Sequence, residues 1–311
     1  MNAAGRLTLF GAGVVAAFAA AFAVSATVVP DEVAASWNEG ETMKDHSAMG
    51  TGSESATPRG LAVSSGGYLL SPVAAPATVG TADDLRFRIL DGSGQPVTDF
   101  AESHGRDLHL IVVRSDGDRF RHVHPVLDPD SGIWSLPWQW DAAGTYRVYA
   151  DFVPGDGADG VTLTRSVSVA GDYSPVQSEP ARVSETDGFT ASIEGDLTAG
   201  AASELTISIE RGSEPVTGLE PYLGAFGHLV ALREGDLAFL HVHPHGDEPE
   251  ADETSGPEIS FTAEVPTAGR YLLYLDFQVD GQVHTAEFVL DAGTGAANSP
   301  DHDEDEGAHG H

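Results

Sequence analysis

Residues His109–Pro125 read HLIVVRSDGDRFRHVHP, and residues His228–Pro244 repeat the pattern as HLVALREGDLAFLHVHP. Each stretch has an apolar run, a turn centred on Asp116-Gly117 or Gly235-Asp236, and a second run that ends in His-Val-His-Pro. Asp-Gly and Gly-first pairs favour the type I′ and II′ turns that join neighbouring antiparallel strands. Both stretches therefore predict a β-hairpin.

The turn positions also predict which residues face each other across each hairpin. The expected pairs are Val113 with Phe120, Ile111 with His122, His109 with His124, Leu232 with Phe239, Val230 with His241, and His228 with His243. Side chains two apart on a strand share a face, and directly paired Cβ atoms lie roughly 4.5–5.5 Å apart. Three imidazoles in each hairpin can therefore converge on one metal ion: His109, His122 and His124 in the first, and His228, His241 and His243 in the second.

The same face also carries apolar side chains, which leaves a second interpretation open. Phe120, Ile111 and Val113 lie on the histidine face, so that face can equally be core with hydrogen-bonded imidazoles at its end. The recurrence of all three histidine positions at identical spacing favours the metal site.

An internal duplication surrounds the hairpins. Gly-Thr-Tyr at 144–146 matches Gly-Arg-Tyr at 269–271, and Tyr-Ala-Asp-Phe at 149–152 matches Tyr-Leu-Asp-Phe at 274–277. Short apolar runs separated by Gly, Pro and Asp, without a helical period, are typical of all-β proteins. We expect two tandem antiparallel β-sandwiches, immunoglobulin-like or cupredoxin-like, at residues 61–172 and 184–292, joined by a linker at 173–183.

The sequence also predicts the positions of several residues outside the hairpins. Trp134, Trp138 and Trp140 alternate along one strand and are expected in the core. Asp151 and Asp276 alternate with apolar residues, so they are expected on the solvated side of their strands. His284 aligns with Thr162 and His104 with Leu223, which places both histidines outside the shared pattern and makes them second-rank candidates for metal binding.

The N-terminal region predicts an extracytoplasmic protein. Leu7–Val29 contains no charged residue and follows Arg6, which is long enough for a transmembrane helix with its positive flank in the cytoplasm. Residues 1–30 are thus expected to be a single-pass membrane anchor. A cleaved signal peptide, which would give a secreted protein, is the alternative.

Two further segments carry candidate metal ligands. Residues 31–60 are a polar, flexible linker that contains Met43, His46 and Met49, a set suited to Cu(I). An acidic loop after Pro244 adds His245 beside the second hairpin. The acidic, histidine-containing tail at 293–311 is expected to be disordered.

Composition narrows the classes of function. The 311 residues carry a formal net charge of −33 and no cysteine. Nucleic-acid and anionic-lipid binding need basic patches and are not expected, whereas cations are favoured ligands. The missing cysteine excludes disulfides, thiolate metal sites and the cysteine-ligated blue-copper centre.

The combination of anchor, Met/His tract and histidine hairpins resembles bacterial membrane-anchored, extracytoplasmic heavy-metal-binding proteins of copper homeostasis, although a strict family signature is absent. The resemblance implies copper sequestration or delivery, with an unidentified transport partner. Cu(II) is the ion expected at the hairpins, and zinc is the alternative. Two other classes stay open: a surface scaffold or adhesion module with structural histidines, and a hydrolytic enzyme with zinc held by three histidines. Because no nucleophile motif or phosphate loop is found, we expect a non-enzyme.

Overall fold

The computed structural model describes residues 59–155, 157, 159–240 and 242–295. Every regular element in these residues is a β-strand, which confirms the all-β expectation. Correspondingly, the described residues contain no helix that could span a membrane. The expected anchor at 1–30, the ligands Met43, His46 and Met49, and the tail from residue 296 lie outside the described residues.

The first repeat consists of β1–β11. Their bounds are β1 Ser64–Ser65, β2 Tyr68–Leu70, β3 Ala82–Phe87, β4 Ile89–Leu90, β5 Phe100–Ala101, β6 His109–Arg114, β7 Arg121–Val123, β8 Val126–Asp128, β9 Ile133–Gln139, β10 Gly144–Pro154 and β11 Val161–Val169. One sheet has the order β11-β10-β6-β7, with β5 also on β10; the other layer contains β3-β9-β8 and β1-β2-β4. Leu85 and Trp134 from one layer pack with Leu110 and Val148 from the other, which makes the repeat a β-sandwich.

The second repeat consists of β12–β22. Their bounds are β12 Val183–Thr186, β13 Phe189–Glu194, β14 Thr198–Ala199, β15 Ala202–Arg211, β16 Glu214–Pro215, β17 His228–Arg233, β18 Phe239–Leu240, β19 Val242–Pro244, β20 Glu258–Glu264, β21 Gly269–Val279 and β22 Gln282–Thr294. The two sheets are β14-β22-β21-β17-β18 and β12-β13-β15-β20-β19, with β16 on β15. Their core includes Ile207, Phe261, Leu273 and Phe288. The pairing is antiparallel throughout this repeat except between β14 and β22, which run parallel.

The tryptophans of the first repeat are buried, as expected. Trp134, Trp138 and Trp140 all belong to its core. The Trp140 indole N–H donates to the Pro76 carbonyl at 2.7 Å. Their role is therefore packing within the sandwich.

A third apolar cluster lies between the repeats, and we call it the inter-repeat layer. It consists of Ile111, Val113, Tyr149, Val230, Leu232, Leu237, Phe239, Leu272 and Tyr274. These residues alternate along β6, β10, β17 and β21 with the residues of the two sandwich cores. Because both faces of these strands are buried, the strands read as continuous apolar runs. The second side of the β6 and β17 sheets faces the other repeat rather than solvent.

Polar contacts at the hairpin turns reinforce this layer. The Tyr149 hydroxyl donates to the Leu237 carbonyl at 2.6 Å, and the Tyr274 hydroxyl donates to the Gly117 carbonyl at 2.5 Å. Each tyrosine therefore contacts the hairpin turn of the opposite repeat. Burial of both rings raises the pKa of each phenol well above its ordinary value.

The predicted register of the first hairpin is confirmed, but its predicted two-residue turn is wrong. Ile111 faces His122, and the pairing continues from Leu110 with Val123. Instead, the backbone N–H of Arg114 donates to the Asp118 carbonyl, and Gly117 has a φ of +86°. This is a three-residue loop with a glycine bulge, and a second positive φ at Arg119, +60°, restores the register.

The second hairpin follows its predicted register only near the turn. Leu232 faces Phe239 as expected. Val242–Pro244 then pairs with β20 in the other sheet, where His243 faces Thr262. The expected pairing of His228 with His243 is therefore wrong: the chain pairs with β17 up to Leu240 and then with β20, just as the first repeat pairs with β6 up to Val123 and then with β9.

Candidate metal centre

Histidines from both repeats meet at one end of the inter-repeat layer. His109 lies at the start of β6, His122 on β7 and His228 at the start of β17. One ring nitrogen from each of these three lies within 4.8 Å of the others. The structure thus joins two ligands of the first predicted hairpin site to one ligand of the second.

Two more imidazoles border this trio. The His124 ring centroid lies 5.1 Å from that of His109 and 4.9 Å from that of His122. His104, exposed in the loop before β6, lies 5.8 Å from the His228 ring and 6.2 Å from the His109 ring. We call His104, His109, His122, His124 and His228 the histidine cluster.

Two other predicted ligands lie along the other sheet of the second repeat. His243 and His245 are exposed on the β20 side, and the His245 ring nitrogen Nε2 lies 2.6 Å from the Thr262 hydroxyl. His241 lies outside the described residues, so the separate three-histidine site of the second repeat stays a prediction.

Hydrogen bonds fix the tautomers of two cluster histidines. His109 Nε2 lies 3.0 Å from the Ser103 carbonyl oxygen, and His122 Nδ1 lies 2.8 Å from Asp276 Oδ2. Carbonyl and carboxylate oxygens only accept hydrogen bonds. Each histidine therefore uses one ring nitrogen as the donor, which leaves the other nitrogen of the neutral ring with a lone pair.

The two remaining nitrogens point at each other. His109 Nδ1 and His122 Nε2 are 3.0 Å apart, and His124 Nε2 is 3.3 Å from His109 Nδ1. Two facing lone pairs repel unless a proton or a cation lies between them. Metal–nitrogen bonds of about 2.0–2.1 Å place neighbouring ligand nitrogens about 3 Å apart, so these separations fit a metal ion.

Burial keeps several of these rings neutral. It lowers the pKa of His109 to about 4, with the charge of His122 as the second cause, and that of His124 to about 3. The pKa of His228 also lies well below its ordinary value, chiefly through burial. Neutral imidazole is the form that binds metals.

Asp276 is part of the site, contrary to its predicted solvated position. The residue is buried, and its Oδ1 accepts a hydrogen bond of 2.6 Å from the Thr285 hydroxyl. Asp151 has the matching bond from Thr162 at 2.6 Å. Both aspartates do point away from the sandwich cores as expected, but that side is the contact between the repeats.

The pairing register also corrects the predicted position of His284. Thr162 faces Asp151 and Thr285 faces Asp276, so Thr285 rather than His284 is the counterpart of Thr162. His284 instead bonds Asp187 at 2.9 Å, away from the cluster. His104 does align with Leu223, as both have a positive φ in matching loops. The comparison of the two repeats did not place His104 in the shared site, because the second repeat has no histidine at the matching position.

Solved structures with some similarity to this chain have low scores. Salmonella alpha-2-macroglobulin reacted with methylamine is 14% identical, with 75% of this chain and 15% of that chain covered and a TM-score of 0.25. Invasin, a bacterial integrin-binding protein, is 12% identical, with 73% and 39% covered and a TM-score of 0.21. Yersinia pseudotuberculosis adhesin InvE is 13% identical, with 72% and 58% covered and a TM-score of 0.21. This chain thus spans a small part of the first two proteins, and such scores support no argument about function.

Sequence comparison assigns the two repeats to one family. No curated protein sequence matches the chain. A family model described as a domain of unknown function, DUF8832, matches residues 64–169 and again residues 184–294. Both matches coincide with the two sandwiches, which supports the duplication inferred from the repeated motifs. The chain belongs to the DUF8832 family and carries two copies of its domain.

Proposed function

We propose that this chain is an extracytoplasmic metal-binding protein that holds one Cu(II) ion between its two repeats, for sequestration or delivery. The observation that carries the proposal is the 3.0 Å approach of His109 Nδ1 to His122 Nε2, while the other nitrogen of each ring faces an oxygen acceptor. His228 supplies a third nitrogen and His124 a fourth. Nitrogen-rich sites bind divalent ions in an order that peaks at Cu(II), and zinc is the next choice.

The surroundings of the ligands also suit a metal. Ligating histidines in proteins almost always donate their other N–H to a carboxylate or a backbone carbonyl. His122 does so to Asp276 and His109 does so to Ser103. The buried Asp276 carboxylate adds negative charge beside the ligands, which favours a cation over a neutral ligand.

The fourth imidazole argues for storage or transfer rather than hydrolysis. A catalytic zinc site keeps one coordination position open for water. In the histidine cluster, His124 Nε2 lies 3.3 Å from His109 Nδ1, so a fourth imidazole is available to fill that position. Cu(I) binding by Met43, His46 and Met49 would be a separate, additional capacity.

A scaffold or adhesion module is the second candidate. The extensive inter-repeat layer is what a rigid surface module needs. In that case the contact of His122 with Asp276 is a structural hydrogen bond across the inter-repeat contact.

Metal titration separates the two candidates. We expect the purified full-length chain to bind one Cu(II) ion tightly, and Zn(II) at the same site more weakly. Equilibrium competition with a chelator and elemental analysis measure affinity and stoichiometry. Two equivalent tight Cu(II) sites would contradict the shared site, and the absence of any tight site would favour the scaffold.

The stability of the metal-free protein should depend on pH through the buried histidines. Their ordinary pKa of about 6.5 applies in the unfolded chain, whereas the folded pKa is about 4 for His109 and about 3 for His124. Below pH 6.5 the unfolded state therefore binds more protons, and stability falls as pH decreases. Each such histidine contributes up to about 1.4 kcal/mol per pH unit between about pH 6.5 and its folded pKa.

Urea unfolding at pH 7.5, 6 and 5 measures this effect. We expect the variant His124→Gln to lose less stability between pH 7.5 and 5 than the unmodified chain. Burial raises the pKa of Asp151 and of Glu287, which acts in the opposite direction, but the comparison of the two chains cancels these contributions. Equal losses in both chains would show that His124 is not a buried neutral group.

A further inference from the structure

We infer that the metal ion couples the two repeats: the second repeat, through His228 and Asp276, completes and tunes a site whose other ligands come from the first. The inference rests on the proposed metal site. It adds that metal occupancy and the packing of the repeats against each other control one another.

The ligand set itself is divided between the repeats. His109 and His122 lie on β6 and β7 of the first repeat, and His228 lies on β17 of the second. The His109 and His228 rings stack with an interplanar angle of 4° and a centroid separation of 5.6 Å. An ion bound to all three side chains therefore requires the repeats to be packed together.

Asp276 adds a second connection across the same contact. Its Oδ2 accepts the His122 Nδ1–H at 2.8 Å, and the two side chains are 4% and 0% exposed. This bond fixes the His122 tautomer that directs Nε2 towards His109. An ion on Nε2 increases the positive charge on the ring, which compensates the buried carboxylate and strengthens the bond. Asp276 is thus a positioning residue that belongs to the repeat opposite the ligand it orients.

The coupling follows from mass action. A ligand that binds only the packed state favours that state by the factor 1 + [L]/Kd. At free Cu(II) 100 times the dissociation constant, separation of the repeats should become about 100-fold less frequent. Conversely, any change that weakens the packing should lower the copper affinity.

The inter-repeat tyrosines provide a readout for this separation. Tyr149 and Tyr274 are buried in the inter-repeat layer, whereas Tyr146 and Tyr271 are buried in the two sandwich cores. A tyrosine-nitrating reagent reaches the first pair when the repeats separate and the second pair only when a sandwich opens. Peptide mass spectrometry measures the nitration rate of each tyrosine.

We expect Cu(II) to slow nitration of Tyr149 and Tyr274 by up to about 100-fold, and more than that of Tyr146 and Tyr271. Equal slowing of all four, or no slowing, would overturn the coupling.

The variant Asp276→Asn tests the second connection. It preserves the shape of the side chain but removes its charge, and we expect a loss of 10–100-fold in Cu(II) affinity, as is typical of such outer partners. Asp187→Asn is the matched control, because Asp187 bonds His284 at 2.9 Å away from the cluster. It should change the affinity by less than about threefold.

The possible failures are distinct. No tight Cu(II) site in the unmodified chain refutes the proposed function itself. Tight binding that Asp276→Asn leaves unchanged refutes only the role of Asp276. His228→Gln removes the ligand that comes from the second repeat. Cu(II) is then bound by the first repeat alone, and it should no longer slow nitration of Tyr149 and Tyr274.

Discussion

Replacing His109 by alanine is expected to lower the affinity for Cu(II) by more than about 100-fold, beyond the range seen when outer partners are removed. His109 is central to the histidine cluster, with ring centroids 5.2, 5.1 and 5.6 Å from those of His122, His124 and His228. Its loss removes one ligand nitrogen and the group that faces two others. Chelator competition at pH 7.5 measures the change.

His284→Ala is the matched control for this variant. His284 is likewise a buried histidine, but it bonds Asp187 and lies outside the histidine cluster. It should retain the copper affinity within about threefold. A His109→Ala variant that binds copper as tightly as the unmodified chain would place the metal site elsewhere.

The variant Leu232→Ala is expected to reduce the free energy of unfolding by about 2–5 kcal/mol. Leu232 is fully buried in the inter-repeat layer, where it packs among residues from both repeats. Truncation removes apolar contacts and leaves a cavity that the rigid sheets fill only partly. Copper affinity should fall as well, because the packed state becomes less stable.

Val126→Ala is the control, since Val126 is 72% exposed. Its effect should stay within about 0.5 kcal/mol. Denaturant unfolding of the metal-free chains measures both variants. If Leu232→Ala costs no more than Val126→Ala, the inter-repeat layer does not contribute to stability.

The sequence predicted the strands, and the register close to each hairpin turn, because both depend on local patterns. Alternation and turn residues place Ile111 opposite His122 and Leu232 opposite Phe239, and the structure agrees. The turn type was predicted incorrectly, since positive φ values at Arg119 and Leu237 are not apparent from residue type. The register survived because these residues compensate for the longer loops.

The shared site could not be predicted from one repeat at a time. Strand periodicity tells which residues share a face, but it does not tell what covers that face. The face with His109, Ile111 and Val113 looked like core or a local metal site, and it is covered by the other repeat. For the same reason Asp276 was expected in solvent. Strands whose residues are apolar on both faces are the sequence signal for a sheet that is covered on both sides.

The crossed tyrosine contacts bear on the origin of the molecule. Tyr149 reaches the hairpin turn of the second repeat and Tyr274 reaches that of the first, so the contact is self-complementary, as in twofold-symmetric dimers. Two identical subunits can form the same self-complementary contact as a dimer before their genes are joined. Once fused, the halves are free to diverge, and His104 opposite Leu223 shows such a difference beside the histidine cluster. Covalent fusion also makes their association independent of protein concentration.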